Sequence, residues 1–387
     1  MRSYLWIFGT AAGTAVAGAV LLNYAVDPYL THQWRTPAVE RLRAPREKLS
    51  AWGKTYAVAR YRPEILYLGN SRTELALAAD YPAFASSRVF NAALSGASLA
   101  DAAAMARHAL AVSRPRMVVW GVDAPSFSNV VGTRDFDRAL VGGAGAYLAK
   151  RVLLDAQRAL SWDMTEDALR EVAGKGSAVC RSSLARRGQR DDACIRDFMR
   201  AGGGTAKAVR ARLRDFVRAE GPTPAALTLF EATLGQLCAA GVQVRLYVNP
   251  VHASMYAALS AAGKWRRLEQ WQTDLTRLAA AARGRQCDAR LFDFGGFNRV
   301  TTEPLPQASG QAEMSFYWEP SHYRERVGHM ILDRLAGTPG FGVELTPASV
   351  AEHLAAQREG LAAYIAAHPV EAALAREAAA NAFKEER

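Results

Sequence analysis

The sequence predicts an α/β fold in which a five-stranded parallel sheet lies between helical layers, carried on one apolar N-terminal helix. Three observations predict it. Short apolar runs recur along the chain, each followed by sequence of helical periodicity, as in βα units that feed a parallel sheet. Half of the 387 residues are hydrophobic and 22% are charged, the balance of a chain that buries a core. The third observation is an uncharged stretch from Ser3 to Val26.

At about 1.5 Å per residue that stretch spans about 36 Å, enough for a hydrocarbon layer of about 30 Å. Ala17, Gly18 and Ala19 resemble a signal-peptide cleavage site, but Val20, Leu21 and Leu22 carry the apolar run past it. Residues 1–26 therefore read as an uncleaved signal-anchor transmembrane helix, with cleavage as the rival. Arg2 places the short end in the cytoplasm and the bulk outside, against the opposing charges of Arg35, Arg41 and Arg43. Gly9 and Gly13 form a GxxxG that, in an Ala/Gly-rich helix, chance composition explains better than a dimer seam does.

Residues 27–62 read as a membrane-proximal linker, broken by Pro28, Pro37 and Pro45. The folded domain, residues 63–340, begins with Glu64–Gly69, followed by Arg88–Asn91, Arg116–Gly121, Val242–Val248 and Ala289–Phe294 as strands. Helices are expected at Ser98–Val112, Thr223–Ala240, Lys264–Ala282 and Tyr323–Leu335. An insertion at about 129–221 carries helical patterns near 146–160 and 163–173, then a polar loop through Gly202 to Gly204. Residues 341–387 form a helical tail.

The chain has 48 Lys and Arg against 37 Asp and Glu, a net charge of +11. Such a balance suits an acidic polymer or an anionic membrane surface. Nucleic acid is excluded as a partner because the arginines are spread through Ala-rich stretches rather than clustered with aromatics. Cys180, Cys194, Cys238 and Cys287 all follow the anchor and fit two disulfides, Cys180 with Cys194 and Cys238 with Cys287; buried free thiols are the alternative. The spacings suit no zinc site, and no metal or organic cofactor is implied.

The candidate chemistry lies at strand ends and one late histidine. Gly69-Asn70-Ser71-Arg72 puts a serine at the carboxyl end of the first strand, where open α/β sheets bind ligands, although the same serine could simply cap a helix. Glu319-Pro320-Ser321-His322 sets a carboxylate three residues before a histidine, a spacing that lets the acid fix one ring nitrogen while the other accepts the serine proton. His252 also follows a strand; His108 and His329 read as packed or surface residues.

These segments resemble the SGNH, or GDSL-like, hydrolase superfamily over about residues 64–335. Ser71 matches the nucleophile block, Phe90 to Ser98 the second block with Gly96 as an oxyanion-hole donor, and Glu319 to His322 the final block, with Glu where Asp is usual. The third block departs: Gly121-Val122-Asp123 stands where the family has an asparagine that donates to the oxyanion, and an ionised Asp cannot donate.

The resemblance implies a flavodoxin-like three-layer sandwich. Its expected catalytic residues are Ser71, His322 and Glu319, and its oxyanion hole is Ser71 and Gly96, with Asp123 in doubt. Asn70, Arg72 and Trp318 would touch substrate, the last by stacking on a sugar face beside Phe316 and Tyr317. With the anchor and Asp27-Pro28-Tyr29, the chain is similar to bacterial inner-membrane proteins with a periplasmic domain that add or remove O-acyl groups, mainly acetyl, on exopolysaccharide or cell-wall glycans. A polysaccharide and a polytopic acyl-donor transporter are the partners this implies. The alternative is a catalytically inactive relative that binds polysaccharide or serves assembly.

Overall fold

Ile65–Leu68 (β1), Val89–Asn91 (β2), Met117–Val122 (β3), Gln243–Val248 (β4) and Ala289–Asp293 (β5) pair in parallel in the order β2-β1-β3-β4-β5. The structure is a computed structural model that describes residues 1–34, 37–38, 49–133, 136–175, 182–306 and 313–382. Strands β1 to β3 are buried along their whole length, which is why they read as unbroken apolar runs rather than alternating ones. A sixth strand, Val343–Leu345 (β8), runs antiparallel to β5 and closes that edge. The expected five-stranded sheet is thus six-stranded, because three residues flanked by glycine and Pro347 carry too little periodicity to declare a strand.

Helix α1, Arg2–Val26, is apolar and long enough to cross a membrane. At its end Asp27 takes a left-handed backbone conformation, and its buried carboxylate accepts the N–H groups of Thr31 and His32 at 2.7 and 3.0 Å. That turn sends the chain back toward Ala51–Tyr61 (α2), where Gln33 Nε2 donates to the Gly53 carbonyl at 3.0 Å. The expected linker therefore holds a capped helix whose Trp52, Ala57 and Val58 enter the core. Ser50 caps α2 by accepting the Gly53 N–H.

Ser71–Ala76 (α3) and Leu99–Val112 (α4) follow β1 and β2; α4 opens with a capping box of Ser98 and Asp101. The insertion holds Tyr147–Ala159 (α5), Trp162–Val172 (α6), Asp192–Ala201 (α7) and Gly204–Arg218 (α8). The polar loop expected through Gly202 to Gly204 is only the junction between α7 and α8. Val209, Leu213, Phe216 and Val217 make a buried stripe at helical spacing, which the interleaved arginines obscure in the sequence.

Pro224–Ala239 (α9), Ala253–Ala261 (α10) and Trp265–Gly284 (α11) complete the layers around β4 and β5. A disulfide between Cys238 and Cys287 joins the end of α9 to the approach to β5. The other expected pair, Cys180 with Cys194, lies outside the described residues. Tyr317–Glu319 (β6) and His322–Tyr323 (β7) form a small antiparallel ladder before Glu325–Leu335 (α12). The tail adds β8, Val350–Ala367 (α13) and Pro369–Asn381 (α14), which pack on α10 and α8 and so belong to the domain rather than hang from it.

Two histidines are fixed as neutral rings. His108 accepts the Gly142 N–H on Nδ1 at 2.8 Å, so its Nε2–H donates to the Thr55 carbonyl at 2.9 Å. His252 likewise caps α10 by accepting the Ser254 N–H and donates to the Glu303 carbonyl, which sets it in the scaffold and not in a site. Burial pushes both down from 6.5 to about 4. Below pH 6.5 the unfolded chain takes up protons that the folded chain refuses, so stability is lost as the pH falls from about 6.5 to about 4. Thermal unfolding followed across this window should show a falling midpoint in the wild type and a shallower fall in His108→Gln; equal slopes would contradict the assignment.

Candidate active site

The strand order reverses at β1, whose neighbours β2 and β3 lie on opposite sides, and a crevice opens at the carboxyl ends of the strands there. Ser71 follows β1, Gly96 follows β2 and Asp123 follows β3. The turn from β1 into α3 is tight. A Cβ at Gly69, φ 146°, would meet Thr73 Oγ1 at 2.4 Å, and one at Gly121 would meet the same oxygen at 2.3 Å, so both positions need glycine for the strands and α3 to approach this closely.

Ser71 Oγ lies 2.7 Å from His322 Nε2. His322 Nδ1 hydrogen-bonds to Glu319 Oε1, so the Nδ1–H donates to the carboxylate and leaves Nε2 free to accept the serine proton. Residues separated by 251 positions in the chain are thus brought together through the β6–β7 turn, in which Glu319 Oε2 also accepts the Ser321 N–H at 2.7 Å. Glu319 is buried. Burial raises its carboxyl, but His322, Arg212 and the Ser321 N–H outweigh that and hold it below the usual carboxylate range.

Arg212 was not foreseen from the sequence. It projects from α8 and sets Nε 3.2 Å from Glu319 Oε1. Thr205, at the start of the same helix, donates to the Trp318 carbonyl at 2.8 Å, so α8 grips β6 at two points. No local motif signals this, because the arginines of α8 read as a solvated face.

Asp123 does not fit the donor role of the oxyanion hole. Its Oδ2 accepts from Asn70 Nδ2 at 2.6 Å and Arg72 Nη1 at 2.8 Å, and its Oδ1 from Ser126 Oγ at 2.6 Å. Burial raises this carboxyl too, but Arg72, Ser126 and Asn70 hold it below the usual range, so it is an ionised acceptor. Arg72 and Asn70 border the cleft and are both bonded to protein groups there. Arg72 Nε and Nη2 donate to the Ser321 carbonyl and hydroxyl at 2.9 and 2.6 Å, and Asn70 caps α3 by accepting the Arg72 N–H.

Trp318 is also displaced from its expected role. It is 3% exposed, packs on Leu75, Ile195 and Met199, and has the Arg324 guanidinium 3.8 Å over its ring, so no face is left for a sugar. Tyr317 is likewise buried, its hydroxyl donating to the Pro250 carbonyl, while Phe316 is half-buried under Arg326.

A cleft of about 380 Å³ opens over Ser71 and His322. Gly96 and Ser98 border one side; Arg212, Asp215 and Phe216 of α8 form the other, so the insertion walls the site. The N–H of Ser71 is one of the unpaired donors at the start of α3, and no hydrogen bond among the described residues uses the Gly96 N–H. A comparison with protein-family models found none that matches this chain, and a comparison with curated proteins found none either.

The buried Arg72–Asp123 pair yields a stability prediction. Removing one partner strands a charge, so Asp123→Ala should cost about 3–5 kcal/mol in denaturant unfolding, whereas the double replacement Arg72→Met with Asp123→Leu should cost less than that. A double variant weaker than the single one would show that the pair does more than neutralise itself.

Proposed function

We propose that the chain is a membrane-anchored serine esterase or O-acyltransferase of the SGNH, or GDSL-like, type. The observation that carries this reading is the relay from Ser71 through His322 to the buried Glu319, with Oγ and Nε2 2.7 Å apart at the floor of an open cleft. The parallel strand order β2-β1-β3-β4-β5 agrees with the flavodoxin-like sandwich of that group.

In this mechanism His322 Nε2 takes the Ser71 proton as Oγ attacks the carbonyl carbon of an acyl ester. The N–H groups of Ser71 and Gly96 receive the oxyanion, and Glu319 stabilises the imidazolium. Collapse of the tetrahedral adduct sends the His322 proton to the departing alkoxide and leaves an acyl-serine. A second hydroxyl, from water or a sugar, then gives its proton to His322 and takes the acyl group. Hydrolysis and transfer to a sugar use the same residues, and α8 borders one side of the open cleft in which either acceptor would enter.

The substrate class rests on the resemblance and on the net charge of +11: acyl groups, acetyl first among them, on an envelope polysaccharide. The same resemblance puts the domain in the bacterial periplasm and supplies a polytopic acyl-donor transporter as partner. One observation favours the second reading, a polysaccharide-binding or assembly protein that has lost the chemistry. With Asp123 ionised and bonded to Asn70, Arg72 and Ser126, the oxyanion hole has two backbone donors and no side-chain donor from β3.

A fluorophosphonate, which traps activated serines, separates the two. Labelling of the detergent-solubilised wild type should be lost in Ser71→Ala at an unchanged melting temperature. In Glu319→Gln it should slow by about a thousandfold or more, because the amide no longer fixes the imidazole tautomer. A folded wild type that does not label would favour the binding reading.

A further inference from the structure

Helices α5 and α6 form a hairpin that presents apolar side chains to the outside. On α5, Leu148, Val152 and Leu153 are 60–69% exposed, and at about 100° per residue they fall within an arc of about 140°. On α6, Trp162, Leu169 and Val172 are 46–73% exposed on a second arc, and Leu160, 65% exposed, lies in the turn between them. Scattered surface hydrophobics need no explanation, but two adjoining helices that both turn their apolar arcs outward do. Among the described residues nothing covers these arcs.

The hairpin is fastened to the end of the apolar helix. Asn23, buried in the last turns of α1, donates from Nδ2 to the Ala159 carbonyl at the end of α5 and to Thr165 Oγ1 in the first turn of α6, both at 2.9 Å. Tyr29, just past α1, donates to Asp167 Oδ2 at 3.0 Å. On its other side the hairpin is locked to α2. Arg151 lies 4.0 Å over the Tyr56 ring and donates to Thr55 Oγ1 at 2.7 Å, and Tyr56 donates to Asp155.

We infer that the α5–α6 hairpin is a monotopic membrane-docking element whose occupant is the lipid bilayer itself. The inference rests on the reading of α1 as a membrane span. If α1 spans, the Asn23 joint sits where the chain leaves the hydrocarbon, and Leu160 and Trp162 lie at the depth that tryptophan and leucine favour. The bilayer is then the apolar phase continuous with the joint. A soluble partner would have to reach that level, whereas a second copy presents the same arcs at the same depth and is separated from lipid by the crosslinking below. Because Arg151 and Tyr56 tie the hairpin to α2, docking would fix how the α/β domain stands on the membrane and not merely tether it.

The test uses the full chain in vesicles of phosphatidylethanolamine and phosphatidylglycerol, with photoreactive benzoylphenylalanine placed singly at Leu153, Leu169, Leu5 of α1 and the exposed Glu231 of α9. Lipid adducts at Leu153 and Leu169, comparable with Leu5 and at least tenfold above Glu231, are expected. Lipid adducts at Leu5 with only background, or crosslinks to a second copy, at both Leu153 and Leu169 would overturn the inference while leaving the anchor intact. Background at Leu5 as well would refute the span and the inference with it, a distinct result.

Discussion

The site depends on one buried ion pair, Arg72 with Asp123. Ser71 and His322 are 251 residues apart in the chain, and a relay needs them held to within a few tenths of an ångström. Arg72 provides that hold: one guanidinium bonds the carboxylate at the end of β3 and both oxygens of Ser321, the residue before the histidine. Since Arg72 is adjacent to Ser71, the serine and the histidine are fastened to each other through their immediate neighbours. Behind the pair, Asn249 at the end of β4 donates to the Val122 carbonyl and accepts from Tyr323, so three strand ends share the constraint.

That geometry explains why an aspartate stands at 123. A neutral amide there could have pointed a donor at an oxyanion, but it would have left the Arg72 charge buried without its counter-ion. An uncompensated buried charge costs several kcal/mol, comparable with what a single oxyanion donor contributes to a transition state. The chain has satisfied the charge, and Arg212 adds a second one beside Glu319 from outside the sheet. The Glu319 carboxylate is therefore held by protein from both sides, by His322 and by α8.

Much of this was legible in the sequence where the signal was local. The five parallel strands lie within a residue or two of the apolar runs, because β1 to β3 are buried along their whole length and β4 and β5 keep an apolar majority around Arg245 and Arg290. The serine and histidine stood out because each sits at an element boundary of restricted chemistry. What was not legible depends on distant partners. The bonds of Arg72 and Asn70 to Ser321 and Asp123 have no local signature; Trp318 looks like a sugar platform until α7 covers it with Ile195 and Met199. Strand β8 was missed for want of length, and α8 because its buried stripe is interrupted by charge.

The segment read as a linker turns out to connect the two ends of the molecule. Lys54 of α2 is fully buried, and its ammonium donates to Glu74 Oε1 at 2.9 Å and to the Ala93 carbonyl. Burial alone would raise the Glu74 carboxyl, but Lys54, Arg190, Ser182 and Ser95 hold it below the usual carboxylate range. Glu74 is on α3 with Ser71, and Ser95 adjoins Gly96, so this cluster pins α3 to the loop after β2 that borders the cleft. The next residue of α2, Thr55, takes the Arg151 hydrogen bond from the α5–α6 hairpin. A single turn of helix therefore carries the hairpin at the exit of α1 on one side and the frame of the cleft on the other. Adjacent residues Lys54 and Thr55 thus make α2 the shared support of the hairpin beside α1 and of the cleft.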